Sequence, residues 1–231
     1  MKKLFFLLIM MLGLNVAFAQ KDVTTFLGIP VDGYKSEMKQ KLIRKGFTLK
    51  YAGTKYEHLK GEFNGKDVHL FIGTQNNKVW RIMVCDAEKI SESQIKIRFN
   101  NLVRQFEKNK RYTSFDYKQT IDEDVDISYE MSIHKKEFTA NFFQKPDEEK
   151  IDTLEMTLRA REKMLEKYSA DQLENMTDEI QQEMLTQLLL VAYEAATKKH
   201  IWFSIAESGY NEYYIVLYYD NEYNHADGED L

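Results

Sequence analysis

The sequence predicts an α+β protein of two tandem units, each a helix followed by a four-stranded antiparallel sheet, with a helical-hairpin insert in the second unit. Three observations predict it. Short runs of alternating apolar and polar residues are separated by Asn- and Gly-rich turns, two runs of helical spacing precede them, and the two sets of runs resemble each other. Shifting the chain by 133 residues lays Val68-His-Leu-Phe-Ile72 over Ile201-Trp-Phe-Ser-Ile205. Without a gap it then lays Trp80-Arg-Ile-Met-Val84 over Tyr213-Tyr-Ile-Val-Leu217. Alternation puts Val68, Leu70, Ile72, Trp80, Ile82 and Val84 on one face with Ile201, Phe203, Ile205, Tyr213, Ile215 and Leu217.

The elements follow in order. Residues 1–19 read as a signal peptide: Lys2 and Lys3, an apolar run from Leu4 to Val16, then Ala17-Phe18-Ala19, the small-x-small pattern of a cleavage site. The run is short for a membrane span and no cysteine stands at the cut, so the mature chain is expected to start near Gln20, exported to the periplasm or exterior, without a transmembrane segment. The first unit, residues 20–90, opens on Phe26-Leu-Gly-Ile-Pro30. Asp32 is expected to cap a helix that carries Met38, Leu42 and Ile43 on one face and stops at Gly46. Strands are expected at Phe47–Ala52, Tyr56–Phe63, Asp67–Ile72 and Lys78–Cys85, with turns at Ala-Gly-Thr, at Asn64-Gly65 and across Thr74–Asn77.

The second unit, residues 91–231, opens on a helix from about Ser91 to Lys110. Ser91 and Gln94 form a capping box, and Ile95, Phe99, Leu102, Val103 and Phe106 form its apolar stripe. Strands are expected at Tyr112–Ile121, Ile127–His134 and Glu137–Phe143, then at His200–Ala206 and Glu212–Tyr219. Between the third and fourth of these, residues 147–198 read as a helical pair with 13 acidic and 6 basic residues.

This pattern resembles the beta-lactamase-inhibitor-protein-like (BLIP-like) fold, and is similar to envelope proteins of the SmpA/OmlA type. Phe26-Leu-Gly-Ile-Pro-Val-Asp-Gly33 and Tyr218-Tyr-Asp-Asn-Glu-Tyr-Asn224 look like the ends of uncharacterised exported bacterial proteins. The resemblance covers most of the mature chain except the helical insert. It implies binding of another protein by the sheet face that points away from the helices.

Composition narrows the function. With 231 residues, 30% charged and 43% hydrophobic, and with 10 Gly, 2 Pro and 1 Cys, the chain is neither disordered, collagen-like nor a disulfide scaffold. Cys85 can make no intrachain disulfide and is expected to be a small apolar strand residue. Charge divides between the halves: residues 20–121 carry 20 basic and 11 acidic groups, residues 122–231 carry 10 and 26. The halves are therefore expected to face each other or to meet different partners. An exported chain of net negative charge argues against nucleic acid.

The expected site is the face opposite the helices, carrying His69, Phe71, Arg81 and Met83 from the first unit and Trp202, Tyr214, Val216 and Tyr218 from the second. A solvated sheet face normally reads polar; this one reads aromatic and basic, the composition of binding hot spots. The bland alternative is that the insert covers it. A second candidate is an anionic glycan or lipid site on the basic helices, through Lys39, Arg44, Arg104 and Lys108, against the bland reading of a solvated helix face. No cofactor or metal is expected. Asp122, Asp124 and Asp126 mimic an EF-hand opening, but Ile127 stands where glycine is needed and Ile133 where glutamate is. The acidic tail, Asp220 to Asp230, could hold a cation only loosely, and the five histidines lack zinc spacing. No nucleophile elbow, zincin motif or phosphate loop occurs, so the chain is expected to be a non-enzymatic binding protein, with an unrecognised enzyme as the remaining alternative.

Overall fold

The structure, a computed structural model, describes residues 22–52, 56–147 and 152–225. The chain begins with a two-residue hairpin, β1 (Thr25–Phe26) and β2 (Ile29–Pro30), turned through Leu27 and Gly28 at positive φ. Then come α1 (Lys35–Arg44), β3 (Thr48–Ala52), β4 (Tyr56–Phe63), β5 (Lys66–Gln75) and β6 (Lys78–Asp86). After α2 (Glu92–Lys108) and the short β7 (Tyr112–Thr113) follow α3 (Ile127–Ser132) and β8 (Thr139–Gln144). Three helices, α4 (Thr153–Leu165), α5 (Ala170–Glu174) and α6 (Asp178–Thr197), precede β9 (His200–Gly209) and β10 (Glu212–Asp220).

Eight strands form one antiparallel sheet in the order β3-β4-β5-β6-β10-β9-β8-β7. The two groups of strands meet where β6 pairs with β10, Val84 opposite Leu217 and Ile82 opposite Tyr219. One row of apolar residues crosses the sheet: Leu59, Leu70, Val84, Leu217, Phe203 and Ala140, each opposite the next. All are buried. Above this face α1 buries Met38 and Leu42 against β5 and β6, while α2 covers β7, β9 and β10. Phe99 and Phe106 of α2 meet Phe142 and Phe203 of the sheet, Phe99 edge-on to Phe203 and Phe106 stacked on Phe142 with ring centres 4.8 Å apart. Burying each such side chain contributes roughly 1.5–3 kcal/mol.

Local chemistry ends and bends these elements. Gly46, at φ +100°, lets the Phe47 amide donate back to the Leu42 carbonyl and close α1. The Phe47 ring then lies over Gly61 of β4, where a Cβ would come within 2.6 Å of it. Asn64-Gly65 and Asn76-Asn77 turn their hairpins with both residues at positive φ.

Several expectations are corrected. Tyr34, not Asp32, caps α1; the Asp32 carboxylate instead accepts from the Gly33 amide and Asn224 Nδ2. Ile127–His134 is not a strand but contains α3, because Asp126 caps it by accepting from the Tyr129 amide and Glu92 accepts from the Ile127 amide. Beyond Thr113 the expected strand Tyr112–Ile121 is a loop, tied down where Asn100 bonds both the amide and the carbonyl of Ile121. The helical segment therefore enters between the second and third strands of the second half rather than the third and fourth, and it holds three helices. Trp80 leaves the inner face: Thr74 pairs with Val79 and Gly73 with Arg81, so Trp80 is a bulge and Val79 takes its core position. The signal-peptide segment, most of the Ala-Gly-Thr turn and Asp227, Glu229 and Asp230 lie outside the described residues.

The α4–α6 segment forms an arm with a small core of its own, Met164, Leu173 and Ile180, packed by Tyr168, Met176 and Met184. It touches the sheet chiefly at β8. Its root is fixed by Lys199, which follows α6 and donates to both oxygens of Asp22 at 2.9 Å and to the Lys145 carbonyl.

Candidate functional site

Alternation aims every second residue of β5, β6, β9 and β10 away from α1 and α2, and the register brings the expected residues together there. Phe71 stands opposite Met83, Met83 opposite Tyr218, Tyr218 opposite Trp202, and Trp202 opposite Asn141. One row along, His69 faces Cys85 and Cys85 faces Val216. Tyr214 lies farther down β10, opposite Ala206. Val216 is buried; His69, Phe71, Arg81, Met83, Trp202, Tyr214 and Tyr218 are half-buried. The arm, which meets the sheet beside β8, leaves these side chains partly open to solvent.

The centre of this face is an aromatic and ionic cluster. Trp202 stacks on Tyr218 with ring centres 4.0 Å apart and planes 14° from parallel. The Arg81 guanidinium carbon lies 4.1 Å from the Trp80 ring centre, 4.7 Å from that of Tyr218 and 5.5 Å from that of Trp202. Arg81 donates to both oxygens of Asp220, and Trp202 Nε1 donates to Asp220 Oδ2 at 2.8 Å. These contacts hold a buried carboxylate and a cation in a site where neither could stand alone. They also fix the Trp202 and Tyr218 rings before any partner arrives. Toward β8 the stack continues through His200 to Phe143, and tilted ring contacts lead on to Phe115 and then to Tyr193 of α6.

Burial, then Arg81, lowers the His200 pKa against the pull of Asp220. Burial and the neighbouring Asp220 raise that of Glu222. His200, Asp220 and Glu222 offer ligand atoms within 4.8 Å of one another. Both Asp220 oxygens are already engaged by Arg81 and Trp202, so a cation there would displace a guanidinium; the three residues read as a polar network rather than a metal centre. At the other end of the face His58 and His69 touch edge to face at 4.9 Å, and His58 stacks on Phe71. Burial, then His58 and Lys60, lowers the His69 pKa. The Cys85 thiol is pushed up to about 11 by burial and then by Asp86, the opposite of an activated nucleophile.

The basic helices are less available than their composition suggests. Lys39 pairs with Glu57 at 3.0 Å, Arg98 with Asp86, and Lys96 donates to two backbone carbonyls. Arg104 bonds Asn101 of its own helix. Arg44 and Lys108 are exposed. On that side of the sheet a cleft of about 400 Å³ is lined by Phe63, Leu102, Phe106 and Tyr219 and by Asn64 and Gln105, which are hydrogen-bonded to each other.

Asp220 and His200 were absent from the expected surface, although parity with Tyr218 and Trp202 marks both. Trp80 could not be placed there from alternation, because only the bulge turns it. Among the described residues no helix is long and apolar enough to cross a membrane. Comparison with family models, curated proteins and solved structures finds no match for this chain.

Proposed function

We propose that the protein is an exported, non-enzymatic binding module that holds another protein against the outer face of its sheet. The observation that carries this is the preorganised row Phe71, Met83, Tyr218 and Trp202, anchored by Arg81 and Asp220 and only half-buried. Rings already locked by stacking and hydrogen bonds lose little conformational freedom on binding, which favours affinity. The strand order, with a helix ahead of each half, supports a tandem arrangement of the BLIP-like kind.

Tyr214 and Met83 are the residues to test, since neither side chain holds Asp220. The protein and its Tyr214→Ala/Met83→Ala variant serve as baits in envelope extract and culture supernatant of the source organism. A protein retained by the wild type and lost by an equally stable variant is expected. Equal retention by both, or no retention by either, refutes the sheet face as the binding surface.

A further inference from the structure

Away from the Arg81–Asp220 cluster, three side chains with metal-ligating atoms share the outer face on neighbouring strands. Lys60 of β4 stands opposite His69 of β5, and His69 stands opposite Cys85 of β6. His58, two residues before Lys60, projects from the same side of β4. All three of His58, His69 and Cys85 are half-buried. His58 is steadied by Phe71, on which it stacks with ring centres 5.5 Å apart.

The two imidazoles are left unmatched. Among the described residues three buried side-chain nitrogen or oxygen atoms lack a hydrogen-bond partner, and two of them are His58 Nδ1 and His69 Nδ1. A neutral imidazole offers one donor and one acceptor, and a buried polar atom without a partner is costly. Both orphaned atoms sit on rings that touch, so a single ligand could serve them together. The rings meet edge to face with centres 4.9 Å apart and planes 67° from parallel. Two imidazoles bound to one tetrahedral zinc, at about 2.0–2.1 Å each, have ring centres roughly 5 Å apart. Unlike the Asp220 oxygens, neither Nδ1 is already engaged.

We propose that His58, His69 and Cys85 form a zinc site, two imidazoles and one thiolate from three adjacent strands with the fourth position open to water. Directly opposed residues hold their Cβ atoms about 4.5–5.5 Å apart, which places the Cys85 thiol beside a metal bound at His69. The ligand atoms converge only on binding, since among the described residues only His200, Asp220 and Glu222 hold three such atoms within 4.8 Å of one another. That rearrangement makes the affinity lower than a preformed site would have. Lys50 and Lys60 share this face and oppose a cation, while Asp67, 3.9 Å from Lys60, offsets one of them. The thiol proton passes to solvent as sulfur binds. The site shares His69 with the surface proposed to hold a protein, but it does not rest on that role, because metal uptake is measured without a partner.

Calorimetric titration of the intact, reduced protein with zinc chloride tests it, with cobalt(II) as a coloured stand-in for zinc. Zinc uptake is expected, and His58→Gln and His69→Gln should each weaken it at least tenfold with the circular dichroism spectrum unchanged. Cobalt should give a near-ultraviolet thiolate-to-metal band that Cys85→Ser abolishes. Should a histidine variant misfold, the band in the unaltered protein still decides, because Cys85 is the only cysteine and no other residue can produce it. Absence of zinc uptake overturns the proposal. So does uptake indifferent to the folded histidine variants, or cobalt bound without the thiolate band.

Discussion

Arg81 and Asp220 stand opposite each other on β6 and β10, joined by two 2.6 Å hydrogen bonds, Nε to Oδ1 and Nη2 to Oδ2. The Asp220 side chain is 1% exposed and that of Arg81 26%. The pair spans the seam between the two halves of the sheet, so its loss should be felt globally. Arg81→Ala or Asp220→Ala alone should each cost about 3 kcal/mol or more, because each leaves a half-buried or buried charge unpaired. The double variant should cost clearly less than the two singles together in urea unfolding. Additivity would mean the two charges are not coupled.

Trp202 contributes to the same network through its indole N–H. Trp202→Phe keeps the stack on Tyr218 but removes one donor from Asp220, and should cost about 1 kcal/mol. Trp202→Ala removes the ring as well and should cost about 3 kcal/mol. Thermal midpoints of the two variants decide this; an unchanged midpoint for Trp202→Ala would show that the ring is not structural.

Two histidines make stability depend on pH. His200 and His69 titrate below 6.5 in the fold, both chiefly through burial, so between those lower values and 6.5 the unfolded chain binds more protons. Their contribution is whole above 6.5 and falls as the pH drops below it. Glu222, whose pKa is raised, acts in the opposite sense, its share declining as pH rises from 4.5. Urea midpoints at about pH 7.5 and 5.5, bracketing the histidine range, should fall with acidification. The fall should be smaller in His200→Gln and His69→Gln. Identical slopes in all three proteins would assign the pH dependence elsewhere.

Cys85 should be slow to alkylate. With its thiol pushed up to about 11, little thiolate exists near neutrality, and the folded protein should react with iodoacetamide far more slowly than the urea-unfolded chain. Equal rates would contradict the burial seen at this strand position.

Gly61→Ala should cost about 1–3 kcal/mol, since its methyl would meet the Phe47 ring at 2.6 Å. Pairing it with Phe47→Leu, which frees space there, should make the second change cheaper than it is alone. Denaturation midpoints of the two single variants and the double test this.

Most of the sheet was legible in the sequence because its alternation is largely undisturbed: β4 runs from Tyr56 to Phe63 as expected, and the capping box of Ser91 and Gln94 marks the start of α2. The outer row from Phe71 to Trp202 was legible for the same reason, since parity holds from Arg81 to Cys85 of β6 and along the facing stretches of β5, β10 and β9. The failures lie where tertiary contacts outweigh local pattern. Ile127–His134 has strand-like composition, but capping by Asp126 and the reach of Glu92 wind its start into helix. Trp80 alternates correctly in sequence, and a one-residue bulge moves it. The Arg81–Asp220 pair bridges 139 residues, a separation that no local spacing can encode.

The seam between β6 and β10 has a consequence for how the chain folds. In chain order β10 comes after every other strand, yet it occupies a central place in the sheet. While the polypeptide emerges from its N-terminus, the first four strands can form a meander, but β6 keeps a bare hydrogen-bonding edge until more than a hundred further residues have followed. Closing that edge requires long-range pairing, which is intrinsically slow. Interruption of the chain anywhere before Glu212 would leave β6 uncovered and the nascent product prone to edge-to-edge aggregation, so the final strand sets the moment at which the centre of the sheet is closed.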